Sequence, residues 1–512
     1  MACGVWRSLA GVMKRRLSLL LGLVLVPAPL ACGKRPQTAS PSPPASTAAA
    51  SAPTTKPAGP RQKTLLRGAA VMTATGKIYE RADVLLEGDQ IVAVGPDLAA
   101  PADAKVVDLA GKTLTPGIID THSHIGVYAA PGLTGHSDGN EATAPNTAGV
   151  RAGDGYFPQD PQIDRARAGG VTTMQILPGS ANLFGGRSVT VRLTPGARSL
   201  AEARFAGAPE GLKMACGENP KRVYGQKSGP STRMGNVAGF RDAFQKASEY
   251  QRSWARYSKD LAEWQAKQGE PPATAEEGKG KDDKKPEPQP PAVDFGLQTI
   301  AAVLRGEILV HNHCYRADEM AIMLDLAATY GFKIRSFHHA TDAYKIADKL
   351  AAAGTAASVW ADWWGFKAES FDGIRENAAL LTQAGARAII HSDSPVGIQR
   401  LNQEAAKAMH AGRRAGLPVS DDQALQWITA NPAWALGIED RTGTLEPGKL
   451  ADLVVWSGSP FSVYTVAEQV WISGEQVYVR GKLEPRTDFE LGYRPGDLDT
   501  NAPPPAPTKG AP

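Results

Sequence analysis

The sequence predicts an α/β fold with a parallel sheet, and two observations carry that prediction. The first is a repeated unit in which an Ala-rich helical stretch ends at glycine and a β-branched run follows at once. It occurs at 166–170 before Val171-Thr-Thr-Met-Gln-Ile-Leu177 and at 327–331 before Phe332-Lys-Ile-Arg-Ser-Phe337. It recurs at 349–354 before 356–359, and at 378–385 before Ala388-Ile-Ile390. A glycine just past a helix supplies the left-handed cap, and a buried parallel strand can start from it. Alternation of helix and strand over four such units argues for a parallel sheet. The second observation is that several of the strand runs end in polar clusters. Periodicity alone does not separate an open sheet from a closed barrel. Polar clusters at strand C-termini favour the barrel, whose active sites collect on that face.

Thr64 to Leu114 has β patterning. Asp83-Val-Leu-Leu-Glu87 and Gln90-Ile-Val-Ala-Val-Gly95 flank a Gly88-Asp89 turn, and Val106-Val107-Asp108 and Thr113-Leu114 add two shorter strands. The polar stretch from Ala238 to Ala266 predicts a long exposed helix. Residues 268–291 hold Pro-Pro and mixed charges with little that is apolar, and predict a disordered insertion. Leu453-Val-Val-Trp456 and Val470-Trp-Ile472 return to β patterning, and 486–512 form a Pro-rich tail.

The N-terminal segment predicts targeting rather than fold. Lys14-Arg15-Arg16 precedes an apolar run, Leu17 to Val26, too short to span a bilayer but suited to a signal-peptide core. The run ends in Pro29-Leu30-Ala31-Cys32, which is similar to a bacterial lipobox apart from Pro29. The expectation is a signal peptide over 1–31, lipidation of Cys32, a Ser/Pro/Ala-rich tether over 32–61, and a periplasmic or membrane-anchored product. Membrane contact is then through the lipid only. The cysteines number four, and without Cys3 and Cys32 only Cys216 and Cys314 remain, so no disulfide framework is implied. A net charge of +4 over 512 residues gives no nucleic-acid footprint.

The chemistry gathers on histidines at strand ends. Thr115-Pro-Gly-Ile-Ile-Asp-Thr-His-Ser-His124 closes a short apolar run with His122 and His124. Alternate residues of a strand share a face, so both rings aim the same way, and two neutral imidazoles are half the shell of a divalent transition metal. Ile308-Leu-Val-His-Asn-His313, Ser336-Phe-His-His339 and Ile389-Ile-His-Ser-Asp393 end three more strands.

The Pro-Gly-x-Ile-Asp-x-His-x-His frame resembles the first barrel strand of the metal-dependent amidohydrolase superfamily. Over about 64–479, the resemblance is to its imidazolonepropionase-related, prolidase-like branch. It implies a distorted TIM (β/α)8 barrel over 116–440, with a small β-sandwich built from 62–115 and 441–485. It also implies a ligand set of His122, His124, His311, His339 and Asp393, with Asp393 as the general base. His313 stands as the alternative to His311, or as a substrate contact. Strand alternation sends His338 away from the site, and His391 reads as packing.

Lys213, in the apolar run Gly211-Leu-Lys-Met-Ala215, stands where such enzymes keep a carboxylated lysine bridging two metals. Glu218 is the rival bridge. Arg222 and Tyr224 are expected to contact substrate, and 178–182 and 185–187 to line the same mouth. The implied cofactor is two zinc ions. The implied reaction is attack of a metal-activated hydroxide on an amide, peptide or cyclic amide carbon of a small molecule. Deamination and ester or phosphoester hydrolysis are alternatives for the same residues, as is a non-catalytic surface lipoprotein.

Overall fold

The computed structural model describes residues 61–227, 229–269 and 286–482. The expected signal peptide, Cys32, most of the tether, most of the insertion and the Pro-rich tail lie outside these residues. None of the described helices is long and apolar enough to cross a membrane.

The chain opens with β1 (Lys63–Met72), β2 (Ile78–Glu87), β3 (Gln90–Gly95), β4 (Lys105–Asp108) and β5 (Thr113–Pro116). The turn at Gly88-Asp89 joins β2 to β3 as an antiparallel pair, and Gly88 has a φ of +60°. Eight strands follow: β6 (Ile118–Ser123), β7 (Val171–Ile176), β8 (Phe184–Arg192), β9 (Gly211–Ala215), β10 (Leu309–Cys314), β11 (Ile334–His339), β12 (Ala356–Val359) and β13 (Ala388–Ile390). The chain then returns through β14 (Leu453–Trp456), β15 (Ala467–Ile472) and β16 (Glu475–Val479).

Strand β14 pairs antiparallel with β5. That pairing joins the two ends of the chain into one path, β16-β15-β14-β5-β1-β2-β3, with β4 beside β1. Leu66, Val84, Ile91, Leu114, Leu453 and Trp471 are buried together as this sheet domain's own core.

The second sheet runs from β6 to β13 in unbroken spatial order. Its neighbours are parallel except at β8, which is antiparallel to both β7 and β9. This is the distortion of the (β/α)8 plan. Trp427 and Ile428 fill the gap between the edge strands: Ile390 N–H donates to Trp427 O and Ile119 N–H to Ile428 O. At the mouth, Asp393 N–H donates to His122 O over 3.0 Å. The repeating glycines do what their positions predict. Gly170, Gly331, Gly354 and Gly385 all have φ between +63° and +93°, each just ahead of a barrel strand.

The long polar helix extends over Arg233–Gly269. It is not simply exposed: Phe240, Phe244 and Ala247 are fully buried, and Phe244 stacks on Phe332 with ring centroids 4.4 Å apart. Three apolar positions at helical spacing suffice to anchor one face of a helix whose mean character is polar.

Candidate metal centre

Three donor atoms meet where β6 and β13 end. His122 Nε2 lies 3.3 Å from His124 Nε2, and Asp393 Oδ1 lies 3.2 Å from His124 Nε2 and 3.6 Å from His122 Nε2. Tetrahedral bonds of about 2.0–2.1 Å place ligand atoms about 3.3 Å apart, so this spacing fits a zinc-sized ion. Each group is held from behind. His124 Nδ1 lies 2.8 Å from Leu177 O, so its proton sits on Nδ1 and the Nε2 lone pair faces the cluster. Buried Asp120 accepts the backbone N–H of His122 and of Ser392, both at 3.1 Å, and the Ser392 hydroxyl as well. It thereby ties the first strand to the last.

Burial pushes His122, His313, His338 and His339 far below the ordinary imidazole range, and His311 and His391 to about 3, so these rings are neutral. Burial works to raise the Asp393 carboxyl, but its neighbours, His124 and Lys213 among them, hold it below the ordinary carboxylate value, so it is ionised. Neutral imidazoles and a carboxylate are the donor set a divalent metal takes.

Further donors stand beside the trio. His339 Nδ1 is 3.9 Å from Asp393 Oδ2 and has no hydrogen-bond partner. Both ring nitrogens of buried His313 are also without one, and its ring lies 4.4 Å from that of His339. Buried imidazole nitrogens are rarely left unpaired, and metal coordination is one way they are satisfied. Lys213, on β9, is 1% exposed; its Nζ lies 3.0 Å from Pro178 O and 3.4 Å from His122 Nε2. Burial pushes its pKa down to about 8.

Several expectations change. His311 is not in the cluster: its Nδ1 lies 3.0 Å from His338 Nε2, one layer below. It shares a face with His313, but two residues of strand separate them by about 6.6 Å, so only His313 reaches the layer of His339. His338 does not point away, since its Nδ1 lies 2.9 Å from His122 Nδ1. Both His338 and His339 reach the centre because the strand leaves extended geometry, with φ of +70° at His339 and +40° at Ala340. Asp393 likewise has φ of +48°. Non-glycine residues in this region gather at sites where surrounding contacts impose them. His391 stacks on His122 with ring centroids 5.2 Å apart and accepts the His339 backbone N–H at 3.3 Å, which shores up that turn.

Other residues go elsewhere. Tyr224 is buried with its hydroxyl donated to Ala144 O, and Arg222 is exposed on the short helix Glu218–Tyr224. Its apolar ring draws Tyr224 into the packing. Glu218 faces Lys367, 4.0 Å away, rather than the trio. Of the segments expected at the mouth, Pro178 is there, while Arg187 pairs with Glu210 at 2.9 Å.

Cys216 and Cys314 form a disulfide, Cα atoms 5.3 Å apart. The register that sets His313 beside Ala215 sets these two side by side at the ends of β9 and β10. The pairing spans 98 residues of sequence, which hides it from spacing arguments.

The walls of the mouth are aromatic. Trp360 lies 4.4 Å from the His339 ring, Tyr315 5.0 Å from both His313 and His339, and Tyr128 5.9 Å from His124. Trp360 and His391 also border a cavity of about 810 Å³ that runs past Trp363, Arg400 and Tyr464. These aromatics sit in loops, where no periodicity marks them.

Known proteins resemble this chain over most of its length. The profile described as "Amidohydrolase family" matches residues 305–478. The amidohydrolase tasK of Hapsidospora irregularis is 37% identical over 410 residues, which is 77% of this chain and 39% of that protein. The chain thus spans well under half the length of that relative. Imidazolonepropionase of Mesorhizobium japonicum is 26% identical over 405 residues, covering 74% of this chain and 87% of that protein. The crystal structure of an amidohydrolase from Thermotoga maritima MSB8 superposes with a TM-score of 0.69 at 37% identity, covering 81% of this chain and 100% of the other. With a whole relative matched at that identity, and its barrel mouth furnished as described, the chain belongs to the metal-dependent amidohydrolase superfamily.

Proposed function

We propose that the protein hydrolyses a carbon–nitrogen bond of a small amide, dipeptide or cyclic amide, using two divalent ions, zinc in the first instance, at the mouth of the barrel. The observation that carries this reading is the donor spacing of 3.2–3.6 Å among His122, His124 and Asp393 beside unpaired His313 and His339. His122, His124 and Asp393 would hold one ion, and His313 and His339 would hold a second. Lys213, once carboxylated on Nζ, would supply an anionic donor beside them. Bound divalent ions lower the pKa of water towards about 7 and polarise a carbonyl.

The chain's own residues do the rest. Asp393 commits Oδ1 to the trio and keeps Oδ2 for the proton of the attacking water. It then returns that proton to the leaving nitrogen. Tyr315 and Trp360 wall the site against bulk solvent, and the cavity beyond Trp360 receives the remainder of the substrate.

The zinc-loaded protein should release amine from at least one class in a panel of dipeptides, N-acyl amino acids and cyclic imides. Chelation should abolish that release and zinc should restore it. Release of ammonia from aminopyrimidines with no amide cleavage would instead assign a deaminase, and turnover indifferent to chelation would remove the metal from the account. His313→Ala should bind one ion fewer per chain by elemental analysis and lose at least about a hundredfold in activity. Two ions retained in that variant would exclude His313 as a ligand.

A further inference from the structure

We propose that His338 and His311 are positioning residues: with His122 they form a buried chain of three imidazoles that accepts the Nδ1 proton of His122 and fixes its ring with the Nε2 lone pair facing the metal. The inference rests on the reading of His122 as a metal donor. His122 Nδ1 lies 2.9 Å from His338 Nδ1, and His338 Nε2 lies 3.0 Å from His311 Nδ1. His311 and His338 are fully buried and His122 is 1% exposed. Burial penalises a charged imidazole, so rings this deeply enclosed are neutral and each carries one ring proton.

One proton per ring leaves two self-consistent arrangements. In the first, His122 donates from Nδ1 to His338 Nδ1, and His338 donates from Nε2 to His311 Nδ1. The lone pair of His122 Nε2 is then free for an ion. In the second, every donor and acceptor is reversed, and His122 carries its proton on Nε2, pointed into the cluster. Any other distribution sets two N–H groups or two lone pairs against each other across 2.9–3.0 Å.

His311 Nε2 ends the chain with no protein partner among the described residues. Either direction therefore leaves one unsatisfied atom at the same place, and the direction is set at the cluster end. An ion on His122 Nε2 selects the first arrangement. The chain in turn gives the proton of His122 Nδ1 an acceptor and fixes the ring plane. Partners of this kind behind a ligating histidine are carboxylates or carbonyls as a rule, as Leu177 O is for His124. Here an imidazole takes that place, and because it can donate as well as accept, the direction is set by the ion rather than by the partner.

The test compares His338→Phe and His338→Asn with the wild-type chain by zinc competition against a chromophoric chelator. Phenylalanine fills the volume but accepts no hydrogen bond. The asparagine amide oxygen stands about where Nδ1 stood and can accept from His122. His338→Phe should weaken zinc binding by about ten- to a hundredfold, and His338→Asn should recover most of that loss, with melting temperatures of the metal-free variants alike. Wild-type affinity in His338→Phe, or no recovery in His338→Asn, overturns the proposal and leaves His338 as packing. Should either variant fail to fold, nitrogen NMR of histidine-labelled, zinc-loaded wild-type protein decides. Protons on His122 Nδ1 and His338 Nε2 support the chain, and the opposite pair overturns it. A wild-type protein that binds no zinc would overturn the reading of His122 as a donor and this inference with it.

Discussion

Asp393→Asn should lower kcat by about 10²- to 10⁴-fold, the range that a positioned general base supplies, with little change in melting temperature. Asp393 stands in left-handed backbone geometry with φ of +48°. Asparagine tolerates that region better than most side chains, so the turn should persist. The amide oxygen can still stand where Oδ1 stands, 3.2 Å from His124 Nε2, so the trio is disturbed less than by alanine. What asparagine cannot do is accept a proton from water and return it to a leaving nitrogen. The loss should therefore fall on kcat rather than KM, with metal content nearly kept. A decrease of less than tenfold at full metal loading would assign the base elsewhere.

Lys213→Ala should lose bound metal and activity together. A cationic amine 3.4 Å from His122 Nε2 would repel the ion that the neighbouring donors are spaced to hold. A neutral amine in the same place can add carbon dioxide and present an anion instead. Burial already pushes the lysine pKa down to about 8, and the neutral fraction grows as pH rises through that value. Metal uptake by the stripped protein in bicarbonate should accordingly speed up as pH is raised through about 8. Short carboxylic acids added to Lys213→Ala should restore part of both metal and turnover. Lys213→Arg should restore neither, because a guanidinium stays charged and offers no lone pair. Two ions per chain retained in Lys213→Ala, with one lost in Glu218→Gln, would make Glu218 the bridge.

The elements of the barrel were legible wherever a residue has one physical use. Gly170, Gly331, Gly354 and Gly385 take the left-handed caps ahead of their strands because a side chain there would be strained. The His-x-His pair on β6 aims both rings one way because a strand repeats every two residues. The strand β8 carries no such signal: Gly185-Gly186-Arg187 were expected only to line the mouth, yet this segment forms an antiparallel ladder with β9.

Within the site, depth and turns were the illegible quantities. His311 and His313 obey the same alternation, and only the register of β10 against β11 says which lies at the mouth. Alternation fails outright at His338 and His339, where backbone held in left-handed geometry brings consecutive side chains inward. Trp360, Tyr315 and the Cys216–Cys314 bridge are set by loops and by neighbours far away in sequence. No local pattern encodes them.

The donors at the ends of β6, β9, β10, β11 and β13 are expected to hold catalytic metal. Anomalous diffraction at the zinc edge from zinc-loaded crystals tests that expectation most directly. Two peaks are expected about 3.5–4 Å apart, one within about 2.0–2.2 Å of His122, His124 and Asp393 and the other beside His313 and His339, with density joining them at Lys213. Zinc bound elsewhere on the chain, or a cluster without anomalous signal in protein that is hydrolytically active, would contradict it.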